Sequence, residues 1–219
     1  MGDPRNVSVC GLYGSVLWYA DDLALRASRG FAQYQRQDLV GGRYSLVGVG
    51  HDNEALLAPG APVTLHADFW VNFLWKRLVG TGVLKATVVG GGRTVRGYAH
   101  CGQGPSRFAP GVMPEEQVTF VLINLENSTD AAVALDPAPS AYTAWTLGPT
   151  AAGAFGAGAL LNGQELPATV ADGATIDEIP VPGVGREGSA AATVTLPPIS
   201  VTFVMANGLA PGWKCSDKQ

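Results

Sequence analysis

Apolar residues in the first third of the chain recur at helical spacing; further on they alternate within short runs. Leu12, Val16, Tyr19 and Leu23 stand at i, i+4, i+7 and i+11, which predicts a helix over Val9–Ser28 stopped by Gly30. Asp21, Asp22 and Arg26 fall toward its polar side and are expected to meet solvent. From Phe31 to Gln37 the residues Phe31, Gln33 and Gln35 alternate with Ala32, Tyr34 and Arg36, the period of a strand. Gly41-Gly42 breaks that pattern, where glycine permits close backbone approach or positive φ. Gly50–Thr64 reads as a loop. A second helix is expected from about Asp68, as its cap, to Val79, with Gly80 ending it. Its buried stripe is Trp70, Phe73, Leu74 and Leu78, and Lys76-Arg77 suit the negative end of the helix dipole. Trp18, Trp70 and Trp75 are expected in the core.

After Gly82 the pattern changes. Val83–Val89, Thr94–Cys101, Val118–Leu125, Ala131–Leu135, Ala141–Leu147, Gly158–Leu161, Thr193–Leu196 and Ile199–Ala206 are short runs punctuated by Gly, Pro, Asn or Asp. Such a series predicts an antiparallel β-sandwich. Gly102–Glu116 and Ala168–Ala192 are looser and rich in Gly or Pro. The shift near Gly80–Val83 divides the chain into residues 1–82 and 83–219, an α+β organisation without internal repeats.

Composition narrows the classes. Of 219 residues 47% are apolar and 15% charged, enough apolar surface for a sizeable core and too little charge for disorder. A net charge of −4 with scattered basic residues argues against a nucleic-acid partner. No apolar run is long enough for a transmembrane helix, and Met1-Gly-Asp-Pro is not a signal peptide. Three cysteines, Cys10, Cys101 and Cys215, allow one disulfide and fit no zinc spacing. Cys10 is expected as a small buried residue. His51, His66 and His100 show no ligand spacing, so neither metal nor cofactor is implied. Asn6-Val7-Ser8 and Asn127-Ser128-Thr129 are N-glycosylation triplets, which tilt the chain toward a secretory history.

LWYADDLALRAS, YQRQDLVGGRYSLV, DFWVNFLWKRLVGTGVL, RGYAHC, VTFVLINLEN and LLNGQEL, in this order, resemble the C-terminal part of heparanase-like enzymes of glycoside hydrolase family 79. The resemblance covers nearly the whole chain and is densest from Trp18 to Leu84. It implies the last helix-strand-helix of a (β/α)8 barrel followed by a β-sandwich. It also implies hydrolysis of β-glucuronide bonds in acidic glycans by a retaining mechanism, with two carboxyl groups about 5–5.5 Å apart. In the family both catalytic glutamates precede the helix matching Cys10–Ser28, so the expected catalytic set within this chain is empty.

The resemblance assigns Gly42 and Tyr44 to holding a glucuronate carboxylate, through a backbone N–H and a phenol. The same positions also read as a loop tip shaped only for folding. The usual asparagine between them is Arg43, which either strengthens the grip as a bidentate partner or obstructs the pocket. The resemblance further pairs Cys101 with Cys215. Asp38 is expected to pair with Arg36 or cap a turn. Trp145 and Trp213 are expected in packing rather than on sugars. The competing reading is a non-catalytic glycan- or partner-binding module, with the missing barrel portion as its partner. One barrel unit cannot bury both faces of its strand, so residues 8–80 depend on the sandwich for cover. The family context places the protein in the secretory pathway, the cell wall or extracellular space, or a lysosome or vacuole, at most peripheral to a membrane.

Overall fold

The computed structural model describes residues 11–36, 39–40, 45–48, 63–103, 117–170, 184–187, 193–207 and 215. Its elements are α1 (Gly14–Ser28), β1 (Val47–Gly48), β2 (Val63–Leu65), α2 (Phe69–Leu78), β3 (Val79–Leu84), β4 (Val95–Gly102), β5 (Gln117–Asn124), β6 (Ala131–Ala134) and β7 (Ala141–Pro149). They continue with β8 (Ala159–Leu161), β9 (Gln164–Glu165), β10 (Thr169–Val170), β11 (Val184–Glu187), β12 (Thr193–Leu196) and β13 (Ser200–Asn207). The architecture is α+β, and every strand pairing between these elements is antiparallel.

The main sheet runs β3-β4-β5-β13-β7-β8-β9, with β11 added on β7. Alternation along its strands sorts residues to two faces. Val121 and Ile123 of β5, Val201, Phe203 and Met205 of β13, and Trp145 and Leu147 of β7 face the helices. Val118 and Leu122 of β5, with Val204 and Ala206 of β13, face the other way. There they meet Val194 and Leu196 from the separate two-stranded sheet β12-β6. The central strands are therefore apolar on both faces, and β5 and β13 read as near-continuous apolar runs.

Both helices lie on the first face. From α1, Val16, Tyr19 and Leu23 enter a core that also holds Trp70, Phe73, Leu74 and Leu78 of α2 and the sheet residues just named. A single core thus crosses the expected division near Gly80–Val83, and the sheet supplies cover to the helices. Tyr13 ties the start of α1 to β7: its hydroxyl donates to the Leu147 carbonyl at 2.8 Å, and its amide donates to Gly156 O at 2.7 Å.

Several sequence expectations change on folding. Helix α1 is described from Gly14, and Cys10 lies outside the described residues. The expected strand at Phe31–Gln37 joins no ladder over 31–36, although its alternation survives in burial: Tyr34 and Arg36 turn inward while Gln33 and Gln35 stay exposed. Gly80 does not end α2. The helix passes at Val79 directly into β3, and Gly80 is a strand residue whose added Cβ would lie 2.5 Å from Gly102 O. Its role is close approach of two backbones. Trp18 is 55% exposed rather than buried, because it sits off the apolar stripe that Val16 and Tyr19 define. The loop expected at Gly50–Thr64 ends in β2. The looser segment at Ala168–Ala192 contains β10, which pairs with β2, and β11.

Candidate functional site

The expected sugar grip, Gly42, Arg43 and Tyr44, lies outside the described residues, as do Asn6, Asp38, His51 and Trp213. What surrounds the grip is described. Val40 bridges Val47, and the Val47 amide donates to Leu39 O at 3.0 Å, so both flanks of the segment meet. β1 pairs with β2 through Val47↔Leu65 and Gly48↔Thr64. Ser45 is fully buried and its hydroxyl donates to Val47 O at 2.9 Å. His66 Nδ1 donates to the Ser45 carbonyl, while the His66 amide donates to Leu46 O at 3.0 Å. These bonds fix where the chain leaves and rejoins the body.

Behind these anchors lies a buried charge pair that sequence reading missed. Asp68, expected to cap α2, makes no side-chain cap bond. It is fully buried and ion-paired with Arg36, whose side chain is 8% exposed. The Arg36 guanidinium also lies over two rings, 4.4 Å from the Tyr19 centroid and 5.5 Å from that of Trp18. A planar guanidinium suits such a double contact, where a lysine would not. Burial pushes the Asp68 carboxyl upward, while Arg36, His66 and a hydrogen bond from Ser15 oppose the rise. Burial likewise raises the Tyr19 hydroxyl to about 12. The one signal in the sequence was the phase of Arg36, on the same side of its segment as Tyr34.

The acidic pair on α1 is not a solvated face. Asp21 accepts from Arg96 at 2.8 Å and from the Tyr98 hydroxyl at 2.7 Å, which pins α1 to β4. Asp22 accepts from Arg26 and from the Tyr34 hydroxyl, both at 2.8 Å. Burial is the first cause that raises the Tyr34 and Tyr98 hydroxyls to about 12, with the accepting carboxylates adding to it. Each of these three carboxylates, Asp21, Asp22 and Asp68, is thus held by a guanidinium or a phenol. No group of three or more His, Cys, Asp or Glu that could hold a metal occurs among the described residues.

Elsewhere, Cys101 and Cys215 form a disulfide with Cα atoms 5.6 Å apart, joining β4 to a residue 114 positions later. Trp145 is buried in the core, in line with packing. Asn127 is exposed on the turn after β5. A groove of about 1130 Å³ opens on the β6 side of the main sheet, lined by Leu84, Val88, Val95, Phe120, Val133 and Leu135 among others. No helix among the described residues is long and apolar enough to cross a membrane.

No family model matches the chain. Individual proteins do. Heparanase-like protein 1 of Arabidopsis thaliana is 36% identical over 118 residues, 54% of this chain and 18% of that protein. The chain is a relative of the heparanase-like proteins. Baicalin-beta-D-glucuronidase of Scutellaria baicalensis is 28% identical over 120 residues, 55% of this chain and 19% of that enzyme. The matched segment thus spans under a fifth of the length of either relative. Among solved structures, a thermostable GH51 α-L-arabinofuranosidase from Thermotoga petrophila overlaps 77% of this chain and 32% of that one, with 10% identity and a TM-score of 0.47. That likeness is too distant to carry weight.

Proposed function

We propose that this chain contributes the closing helix-strand-helix of a (β/α)8 glycosidase barrel, residues 1–82, and a β-sandwich, residues 83–219. On this reading it is the C-terminal portion of a heparanase-like endo-β-glucuronidase that hydrolyses β-glucuronide bonds in acidic glycans of the secretory pathway or beyond it. The observation that carries the reading is the segment 31–36. It sends Tyr34 to α1 and Arg36 to the start of α2, and leaves Gln33 and Gln35 exposed without a ladder. A barrel strand behaves this way: alternate side chains pack on the flanking helices and the others line the barrel. Gly42 and Tyr44, with Arg43 between them, grip the substrate carboxylate.

The retaining reaction needs a carboxylate nucleophile beside a carboxylic acid. Asp21, Asp22 and Asp68 are each engaged by a guanidinium or a phenol, and the resemblance puts the catalytic pair on other barrel strands; on this reading the chain by itself is inactive. The test is incubation of the purified chain with a covalent β-glucuronidase-directed inhibitor and a glucuronide substrate. No labelling and no turnover are expected. Stoichiometric labelling of any carboxylate in the chain refutes the reading.

A second reading is favoured by the exposed apolar residues Trp18, Phe31, Leu39 and Val40 beside the same segment, each more than half exposed. On that reading the chain is a non-catalytic module whose partner is a separately made barrel portion or an acidic glycan. A monomer that binds neither in sedimentation and glycan-binding assays removes its support.

A further inference from the structure

We propose that the folded protein deamidates spontaneously at Asn162, in the Asn162-Gly163 turn between β8 and β9, while Asn207 of the Asn207-Gly208 pair is spared. In this reaction the Gly163 amide nitrogen gives its proton to solvent and attacks the side-chain carbonyl carbon of Asn162. A carbon–nitrogen bond forms and the bond to the side-chain nitrogen breaks. That nitrogen departs with the electron pair, takes up one proton and leaves as ammonia. Water then opens the five-membered imide at either of its carbonyls, giving aspartate or isoaspartate. Glycine suits the attacking position because no Cβ crowds its nitrogen.

The chain holds two such pairs, chemically alike until it folds. Asn162 and Gly163, with φ of 50° and 82°, form a two-residue hairpin turn closed by Leu161↔Gln164. The Asn162 backbone amide donates to Thr146 O at 2.8 Å, and its side-chain oxygen accepts from the Thr146 amide at 2.9 Å. These bonds hold the turn, so ring closure waits for the hairpin to open. The hairpin stands at the end of the main sheet. β9 has only two residues, both exposed, and among the described residues it pairs with β8 alone. β8 in turn meets β7 over three residue pairs. Opening so short an edge costs less than unfolding the whole protein.

Asn207 ends β13, between Gln117 of β5 and Ala141 of β7. Its carbonyl accepts from the Ser140 amide at 3.0 Å and from the Ser140 hydroxyl at 3.1 Å. Its side-chain oxygen has no partner among the described residues, so side-chain bonding by itself would make Asn207 the faster site. The backbone decides otherwise. An extended strand paired on both edges cannot rotate to bring the next nitrogen onto the side-chain carbon until the centre of the sheet opens.

The product has a structural consequence. Isoaspartate lengthens the main chain by one methylene inside a two-residue turn, which breaks the Leu161↔Gln164 register. Leu161 and Leu166, on either side of the turn, belong to the core shared with the helices, so the damage reaches that core.

The full chain, disulfide intact, is kept in mildly alkaline buffer with and without denaturing urea, and peptide mass spectrometry follows the mass gain and the isoaspartate at both positions. In urea the two sites should react at similar rates. Without urea both should slow, with position 162 converting about tenfold or more faster than position 207. Equal native rates, a faster reaction at 207, or an unmodified Asn162 while the urea sample converts would each overturn the proposal. Leu166→Ala, which loosens the segment after the turn, should raise the native rate at 162 more than that at 207. An equal rise at both would show reaction through global unfolding and also overturn it. Should Leu166→Ala fail to fold, the wild-type comparison decides alone.

Discussion

His100 makes the fold sensitive to acid, and the size of the effect follows from its position. It lies on β4 opposite Thr119 of β5, 2% exposed, edge-on to Trp75 of α2 with ring centroids 5.2 Å apart. Burial in that helix-sheet contact lowers its pKa from 6.5 to about 4, against a small opposing effect of the Gly80 backbone. Below pH 6.5 the unfolded chain takes up a proton that the folded chain refuses until about pH 4. Stability therefore falls with falling pH through this window, and the loss is complete below about 4. Moving a histidine that far corresponds to roughly 3 kcal/mol of withheld proton binding. His100→Leu removes the titrating group. Its own packing change alters stability at every pH, so the readout is the slope. Urea unfolding is followed from pH 7 down to pH 4, with the disulfide intact in both proteins. The wild type should lose on the order of 2–3 kcal/mol more than His100→Leu across the window. Equal slopes in the two proteins would show that His100 is not buried neutral and would refute the reasoning.

Other perturbations follow from the same geometry. Arg36→Met leaves the Asp68 carboxyl buried without its cation and should cost about 3–5 kcal/mol by urea unfolding, with Arg36→Met/Asp68→Asn recovering part of the loss. Recovery of none would show that the pair is not coupled. Gly80→Ala puts a methyl 2.5 Å from one backbone oxygen and 2.7 Å from another, and should lower stability by about 1–3 kcal/mol in a thermal melt. Reduction of Cys101–Cys215 frees a loop of 114 residues and should cost nearly 5 kcal/mol in the chain-entropy picture, read as a lower urea midpoint under reductant. Because α1 and α2 share their core with the sheet, limited proteolysis should cut within α1 no faster than within β5. Preferential cutting in α1 would contradict the shared core.

Much of this arrangement was legible along the chain, because it depends on local periodicity. The stripe of Val16, Tyr19 and Leu23 and that of Trp70, Phe73, Leu74 and Leu78 are buried as their spacing requires, and the strand-like runs after Gly82 pair into sheets except for Val83–Val89, of which only Val83 and Leu84 join a strand, one that begins at Val79. The ordered motifs also sufficed to point to the heparanase-like relatives, since residue identity in sequence needs no coordinates. Tertiary structure alone decided what each polar residue meets. Asp68 reads as a cap because it precedes a helix, yet burial brings Arg36 to it from 32 positions away. Asp21 and Asp22 read as solvated because they lie on the polar side of a helix, yet Arg96 and Tyr98 arrive from β4, 75 and 77 positions along the chain from Asp21. Gly80 reads as a stop because glycine often ends helices, yet β4 crowds its Cα. Period and composition are local properties of the chain; the partner of a charge and the space beside a glycine are set by segments far away in sequence that only folding brings near.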